Sequence, residues 1–196
     1  MKLTPSISED EMVSLFMRSQ ASSPRVNKTI IAALNRDGKE TSLVEAPDTS
    51  NDEENRYRQE LLTMTRGYGS RTKLFTGFPN DVTWHWAEIT KEELGKLKYI
   101  DYPYWVEISG RTRAADDAAK NEEVSENLHI SQLVSALQRG EKFLPLIVVG
   151  TAENSSLVVL DGHHRLTAYA SKWSLVPETI RVMVGFSPDM DKWKFY

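Results

Sequence analysis

Two kinds of hydrophobic pattern divide this chain, a helical one in its first third and a mostly strand-like one in its second half. Ser8 and Glu11 form a capping pattern that predicts a helix to about residue 19, and apolar residues recur every three or four positions over 26–36 and 54–64. The apolar residues within 42–44 predict a short strand. The first third is therefore expected to be mostly helical.

Strand patterns begin near the middle of the chain. Apolar and polar positions alternate over 82–86, which predicts a strand with His85 on the face opposite its tryptophans. The apolar and aromatic segment 104–108 predicts a second strand. This strand is expected to lead into a loop that carries Arg111 and Arg113.

The C-terminal half predicts the order helix, strand, strand, helix, strand. An amphipathic pattern over 130–137 indicates the first helix, and the continuous apolar runs 144–149 and 157–160 indicate two buried strands. Alternating apolar positions over 180–186 indicate the last strand. Residues 116–126 are charged and contain two alanines, so both a helix and a linker stay open for this segment.

The motif Asp-Gly-His-His-Arg, residues 161–165, joins the strand 157–160 to the second helix of this half. Apolar residues continue at helical spacing after it, which puts both histidines and Arg165 in the first turn. A helix N-terminus carries partial positive charge, Gly162 permits a close backbone approach, and the guanidinium adds fixed donors. The sequence therefore predicts an anion site, with phosphate as the expected ligand.

A structural interpretation of the same motif stays open, because Asp-Gly is a common turn and polar residues often cap helices. Asp161 opposes the positive charge of the motif, and a carboxylate beside a phosphate is repulsive unless it binds a divalent cation, orients a histidine or accepts a proton. A metal-centred hydrolase built on Asp161, His163 and His164 is disfavoured, because adjacent helical residues point about 100° apart.

A basic loop with two glycines, residues 66–73, is a second candidate for phosphate binding through backbone amides. Its glycine spacing matches no Walker sequence and no lysine-serine pair follows, which favours a surface turn. Both interpretations stay open for this loop.

Composition narrows the classes of function. The chain has 196 residues and a formal net charge of −4, which argues against nucleic acid as its main partner. It contains no cysteine, which excludes disulfides, thiolate nucleophiles and cysteine-ligated zinc. No apolar run approaches the roughly 20 residues that span a bilayer, and the N-terminus lacks the basic and apolar regions of a signal peptide, so we expect a cytoplasmic protein.

Three segments follow one another along the chain: a helix that ends in glycine, the strand Leu-Pro-Leu-Ile-Val-Val, and the segment Val-Val-Leu-Asp-Gly-His-His-Arg-Leu-Thr-Ala-Tyr. In this order they resemble the ParB/sulfiredoxin-like superfamily over residues 99–186. Members carry a Gly-x-x-Arg core at the helix start, which residues 162–165 match. Sulfiredoxins have a cysteine where this chain has His163, which excludes sulfinic acid reduction. The chain ends shortly after Phe186, so we expect no DNA-binding domain like that of chromosome-partition ParB proteins. The motif looks most similar to that of the free serine kinases.

This resemblance implies an α+β fold, in which a small mixed β-sheet with flanking helices forms a ParB/sulfiredoxin-like core. We expect this domain over residues 99–196 and a mostly helical N-terminal extension over 1–98. The resemblance also implies nucleotide phosphate binding at the helix that begins after Asp161.

Each candidate residue receives a role from the same resemblance. The phosphates of ATP or ADP are expected against the helix start and the arginine loop, at Gly162, His163, His164, Arg165, Arg111 and Arg113. Asp161 is expected to bind Mg²⁺ or handle a proton, and His163 to take part in catalysis. Glu107 is expected near an acceptor hydroxyl, because its strand should lie beside the motif strand.

Three functions follow as competing hypotheses. The first is a kinase-like phosphotransferase or ATPase that uses ATP or ADP, Mg²⁺ and a small hydroxyl substrate. The second is a non-catalytic nucleotide-sensing or interaction module. The third is a ParB-like nuclease or DNA-associated factor, which the acidic charge ranks last.

Overall fold

The computed structural model describes residues 1–23 and 26–196, which divide into two compact units. The helical unit comprises Ile7–Asn80 and Lys192–Lys194, and the sheet unit comprises Met1–Ser6, Asp81–Asp191 and Phe195–Tyr196. The boundary predicted at residue 98 differs from this division, because the sheet unit starts at Asp81 and also includes Met1–Ser6. The reason is long-range strand pairing, since residues 83–90 pair along their whole length with the last strand.

The described residues of the helical unit form four α-helices, namely α1 (Glu9–Ala21), α2 (Asn27–Arg36), α3 (Ser42–Glu45) and α4 (Asp52–Arg66). Side chains cap the two longest of them. Ser8 Oγ accepts from the Glu11 amide at 3.2 Å, and Asn51 Oδ1 accepts from the Glu54 amide at 3.2 Å. The helices predicted over 8–19, 26–36 and 54–64 are thus confirmed. Their apolar faces form a core that includes Met12, Phe16, Ile30, Leu34 and Leu62.

The strand predicted at 42–44 is wrong, because these residues form α3. A strand must pair its backbone groups with a neighbouring strand, and the sheet belongs to the other unit. A single helical turn bonds its backbone locally, as from the Val44 amide to Thr41 O at 3.0 Å, while Leu43 and Val44 stay buried. So short an apolar segment fits either structure.

The described part of the sheet unit contains five strands and six α-helices. In chain order they are β1 (Lys2–Ile7), β2 (Thr83–Thr90), α5 (Lys91–Gly95), α6 (Pro103–Ile108), α7 (Ala115–Ala118), α8 (Glu122–Glu126), α9 (Leu128–Gln138), β3 (Ile147–Gly150), β4 (Val158–Asp161), α10 (His163–Ser171) and β5 (Thr179–Phe186). The strands form one mixed sheet in the order β1-β2-β5-β3-β4. β5 pairs antiparallel with β2 and parallel with β3, and β3 pairs antiparallel with β4.

The α+β fold and the C-terminal order of elements are confirmed. β3 and β4 are buried at every position, as expected of continuous apolar runs. The segment 116–126, for which helix and linker were open, contributes to the short helices α7 and α8. No pattern in the sequence predicts β1, a mostly exposed strand at the edge of the sheet that contains Pro5. No helix in the described part of the chain is long and apolar enough to cross a membrane.

Residues 104–108 belong to α6 and do not form the predicted strand. Pro103 lies at the start of this helix, where its fixed φ suits the helix and its missing N–H needs no acceptor. Trp105 and Ile108, three residues apart, are both buried, and the Ser109 hydroxyl donates to Trp105 O at 2.6 Å. Glu107 therefore lies on a helix, and its expected placement on a strand beside β4 is wrong.

Candidate functional site

Strand β4 and helix α10 meet at Gly162, as the sequence predicted. Gly162 precedes the helix with a φ of +103°, a conformation that favours glycine. A Cβ atom at this position would lie 2.5 Å from Leu146 Cδ2 and 3.0 Å from Arg165 Nη2. The first turn of α10 contains no acidic residue, so no carboxylate of that turn opposes the positive end of the helix dipole.

Asp161 and Arg165 form a buried ion pair at the start of α10. Arg165 Nη2 donates to Asp161 Oδ2, and only 11% of each side chain is exposed. Arg165 Nη1 donates to the carbonyl oxygens of Leu144 and Pro145, at 2.8 and 3.2 Å. The guanidinium therefore balances the charge of Asp161 and fixes the segment before β3.

This ion pair engages both side chains with atoms of the protein itself. The Arg165 donors that the sequence analysis assigned to phosphate contact protein oxygens, and the carboxylate assigned to Mg²⁺ contacts a guanidinium. Within residues 1–23 and 26–196, no group of three or more histidine, aspartate or glutamate side chains is placed to hold a metal ion. Asp161 and Arg165 therefore stabilise the start of α10, and their expected roles toward Mg²⁺ and phosphate stay predictions.

An aromatic cluster holds the ring of His163. The Trp105 ring from α6 stacks on Tyr99 and on His163, with centroid distances of 4.6 and 5.1 Å and interplanar angles of 23° and 20°. The Tyr99 hydroxyl lies 2.6 Å from Thr167 Oγ1 in α10, and burial raises the pKa of this phenol. His163 is half-buried, and these contacts restrict its ring to one orientation.

Two further rings hold His164. It makes edge-to-face contacts with Trp105 from α6 and with His129 from α9, at centroid distances of 5.2 and 5.0 Å. Burial, and then the charge of Arg165, lower the pKa of His129. The lower pKa favours the neutral form of the His129 imidazole.

Glu107 does not join the histidines. Trp105 faces His163, and residues two positions apart on a helix point to different sides. Glu107 is exposed, in keeping with this geometry. The α6 helix therefore supplies an aromatic ring to the site in place of the expected carboxylate.

The two arginines of the loop after α6 have separate environments. Arg111 is exposed, and its amide donates to Val106 O at 2.8 Å. Arg113 Nε donates to Tyr99 O and its Nη1 to Tyr196 O, both at 2.7 Å. Burial lowers the pKa of the Arg113 guanidinium. Arg113 thus anchors backbone near Tyr99, while Arg111 projects at the surface.

The structure therefore unites Asp161, Gly162, His163, His164 and Arg165, and adds residues that the sequence analysis did not assign to the site. Trp105 had a usable signal, because a proline followed by buried apolar residues at three-residue spacing favours a helix. His129 had none, since only the packing of α9 on α10 brings it to His164.

Comparisons with protein-family models, with curated proteins and with solved structures give no match to this chain. The resemblance to the ParB/sulfiredoxin-like superfamily therefore stays a prediction. What the protein binds must be inferred from the geometry of its own residues.

Replacing Gly162 with alanine should lower the free energy of unfolding of the sheet unit by about 2–4 kcal/mol. The new Cβ combines an unfavourable positive φ with a 2.5 Å approach to Leu146 Cδ2. Gly140→Ala is the matched control: its φ is +77°, and no atom lies within 4 Å of the added Cβ, so about 1–2 kcal/mol is expected. Urea unfolding measures both, and equal losses would contradict the close packing around Gly162.

Proposed function

We propose that the sheet unit binds a phosphate-bearing ligand, in the first place a nucleotide such as ATP or ADP, at the first turn of α10. One observation carries this proposal: the helix begins at a positive-φ glycine and presents two half-buried histidines in a turn without acidic residues. Helix N-termini direct amides and the positive end of the dipole toward an anion. Imidazoles add donors for phosphate oxygens.

The buried ion pair makes the start of α10 more favourable for an anion than an unpaired Asp161 carboxylate would. A carboxylate without a counter-charge beside the helix start would repel a phosphate. Asp161 is paired with Arg165, and the pair carries no net charge. An incoming phosphate therefore experiences the helix dipole and the two imidazoles rather than a buried negative charge.

The surrounding rings support the proposal through preorganisation. Trp105 contacts both His163 and His164, and Tyr99 and His129 extend the cluster to α10 and α9. Side chains that are already ordered lose less conformational entropy when a ligand binds. Both imidazoles are consequently suited to a fixed phosphate position.

The geometry favours a nucleotide-binding module over a phosphotransferase. Phosphoryl transfer to a small hydroxyl substrate requires a group that receives the hydroxyl proton, and ATP or ADP chemistry normally uses Mg²⁺. Asp161 contacts Arg165, and Glu107 points away from His163, which leaves His163 as the candidate proton acceptor. Turnover is therefore a separate part of the proposal from binding.

Isothermal titration calorimetry of the full chain with ATP, ADP, CTP and GTP, with and without Mg²⁺, tests binding. We expect at least one nucleotide to bind, and about tenfold weaker binding in His164→Gln, because the flexible glutamine side chain lacks the ring that Trp105 and His129 orient and so places its donor less well against a phosphate. His85→Gln is the matched control, since His85 lies on β2 with its Nδ1 3.0 Å from Thr4 O. It should bind nucleotide like the wild type.

The same samples separate the competing functions. If neither the nucleotides nor inorganic phosphate bind, the α10 site is rejected. If His164→Gln and His85→Gln weaken nucleotide binding equally, the binding site does not lie at α10. Binding without phosphate release or transfer supports the nucleotide-binding module. Turnover that His163→Gln abolishes, with binding retained, supports the phosphotransferase.

A further inference from the structure

His129 belongs to α9, yet its side chain lies against the motif at the start of α10. The His129 ring meets the His164 ring edge to face, with a centroid distance of 5.0 Å. Both residues are half-buried, so each keeps part of its surface accessible to a ligand. Two histidines that are distant in the sequence therefore form one pair of imidazoles where α9 packs on α10.

The backbone of α9 is already capped at this end. Asn127 Oδ1 accepts from the amides of His129 and Ile130, at 3.0 and 3.2 Å. The first turn of α9 contains no acidic residue, and neither does the first turn of α10. What α9 brings to His164 is therefore an imidazole, with no carboxylate beside it in its own turn.

The surroundings of the pair disfavour a positive charge on it. Burial, and then the charge of Arg165, lower the pKa of His129. The Asp161 carboxylate could offset such a charge, but it is paired with the Arg165 guanidinium. The carboxylates of the neighbouring short helices, Glu107 of α6 and Glu126 of α8, are exposed. An anion bound beside the two rings would supply the counter-charge that the protein does not.

We propose that His129 binds the same phosphate group as His164, so that the anion site is shared between α9 and α10. This inference rests on the proposed function and adds a residue of a second helix to it. The phosphate accepts a hydrogen bond from one nitrogen of each ring, on the accessible side of the pair. Because packing already orders both rings, the two donors hold the phosphate with little further loss of side-chain entropy.

A proton is expected to enter this site together with the phosphate. The bound dianion favours the imidazolium form of His129, so the pKa of this imidazole rises when phosphate binds. Binding and protonation are then linked. The affinity is highest at a pH below the pKa of His129 in the free protein, and it falls as the pH rises through the pKa of His129 in the complex.

Sulfate tests this linkage, because it has the shape of phosphate and keeps its charge between about pH 5.5 and pH 8, where imidazoles titrate. The imidazole signals of the full chain are followed by ¹H–¹³C NMR with and without sulfate. We expect sulfate to move the titration of the His129 signals to higher pH, and to bind at least severalfold more tightly near about pH 6 than near about pH 8. His85 on β2 is the internal control, and its signals should titrate alike in both samples.

Variants of His129 test its contact with nucleotide. His129→Leu removes the imidazole donors and should weaken the binding of ATP and ADP about tenfold. Gln138→Leu, at the exposed last position of α9, is the matched control and should bind like the wild type. His129→Gln keeps a donor but takes up no proton near neutral pH, so its nucleotide affinity should depend less on pH than that of the wild type.

Two results overturn this proposal and leave the nucleotide site at α10 standing. The first is an unchanged titration of the His129 signals when sulfate, or ADP in its place, saturates the protein. The second is wild-type nucleotide affinity in His129→Leu while His164→Gln binds more weakly. If the wild type binds no nucleotide, phosphate or sulfate, both proposals are rejected. If His129→Leu does not fold, the titration of the wild-type signals decides.

Discussion

Replacing Arg58 with alanine is expected to lower the free energy of unfolding of the helical unit by about 3–5 kcal/mol. This arginine of α4 has 0% of its surface exposed. Its Nη1 donates to Leu43 O at 3.0 Å and to Glu54 Oε2 at 3.1 Å, and its Nη2 donates to Asp48 O at 2.7 Å. Alanine leaves these acceptors without their donor and opens a cavity, so α3 and the segment after it lose an anchor on α4.

Urea unfolding followed by far-ultraviolet circular dichroism measures this loss. Arg56→Ala is the control, because Arg56 is an exposed arginine on the same helix, and its removal should change stability by less than about 0.5 kcal/mol. Arg58→Met keeps much of the buried volume and removes the donors. A loss in Arg58→Ala no larger than in Arg56→Ala would contradict the role of these hydrogen bonds, and wild-type stability in Arg58→Met would assign the effect to packing.

Arg165→Ala is expected to lower the free energy of unfolding of the sheet unit by a similar amount, about 3–5 kcal/mol. Asp161 is only 8% exposed, so removal of Arg165 leaves a carboxylate in the interior without its guanidinium partner. The carbonyl oxygens of Leu144 and Pro145 lose a donor at the same time. The loss should appear in the same unfolding measurement.

Arg139→Ala provides the control for this second experiment. Arg139 Nε lies 2.7 Å from Glu141 Oε1, but 61% and 55% of the two side chains are exposed, so less than about 1 kcal/mol should be lost. A double-mutant cycle of Asp161→Ala and Arg165→Ala should give a coupling of about 2 kcal/mol or more. Additive losses would show that the buried pair does not act as a unit.

This structural role decides how the nucleotide proposal should be tested. A variant that lacks Arg165 would be destabilised, so weaker ligand binding in it would not show that phosphate contacts the guanidinium. His164→Gln is the better variant, because His164 is half-buried and its substitution leaves the Asp161–Arg165 ion pair in place. Bound nucleotide should also raise the apparent stability of the native state by mass action.

Much of the fold follows from local signals in the sequence. Capping residues and apolar spacing identified α1, α2 and α4, and continuous apolar runs identified β3 and β4. A capping side chain bonds backbone groups of its own helix, and apolar spacing marks the faces that an element buries, so both signals are local in the sequence. The turn at Gly162 and the position of His163 and His164 in the first turn of α10 also follow from the sequence. The errors at 42–44 and 104–108 concern segments too short for periodicity to distinguish strand from helix.

The sequence by itself therefore determined the α+β class, the C-terminal order of elements and the presence of two histidines and an arginine at one helix start. Only the tertiary structure decided that Arg165 pairs with Asp161, that Trp105 contacts both histidines, and that Glu107 faces elsewhere. It also decided that His129 of α9 meets His164 of α10. The physical reason is that backbone conformation depends mainly on neighbours along the chain, whereas side-chain partners depend on segments that packing brings together from distant positions.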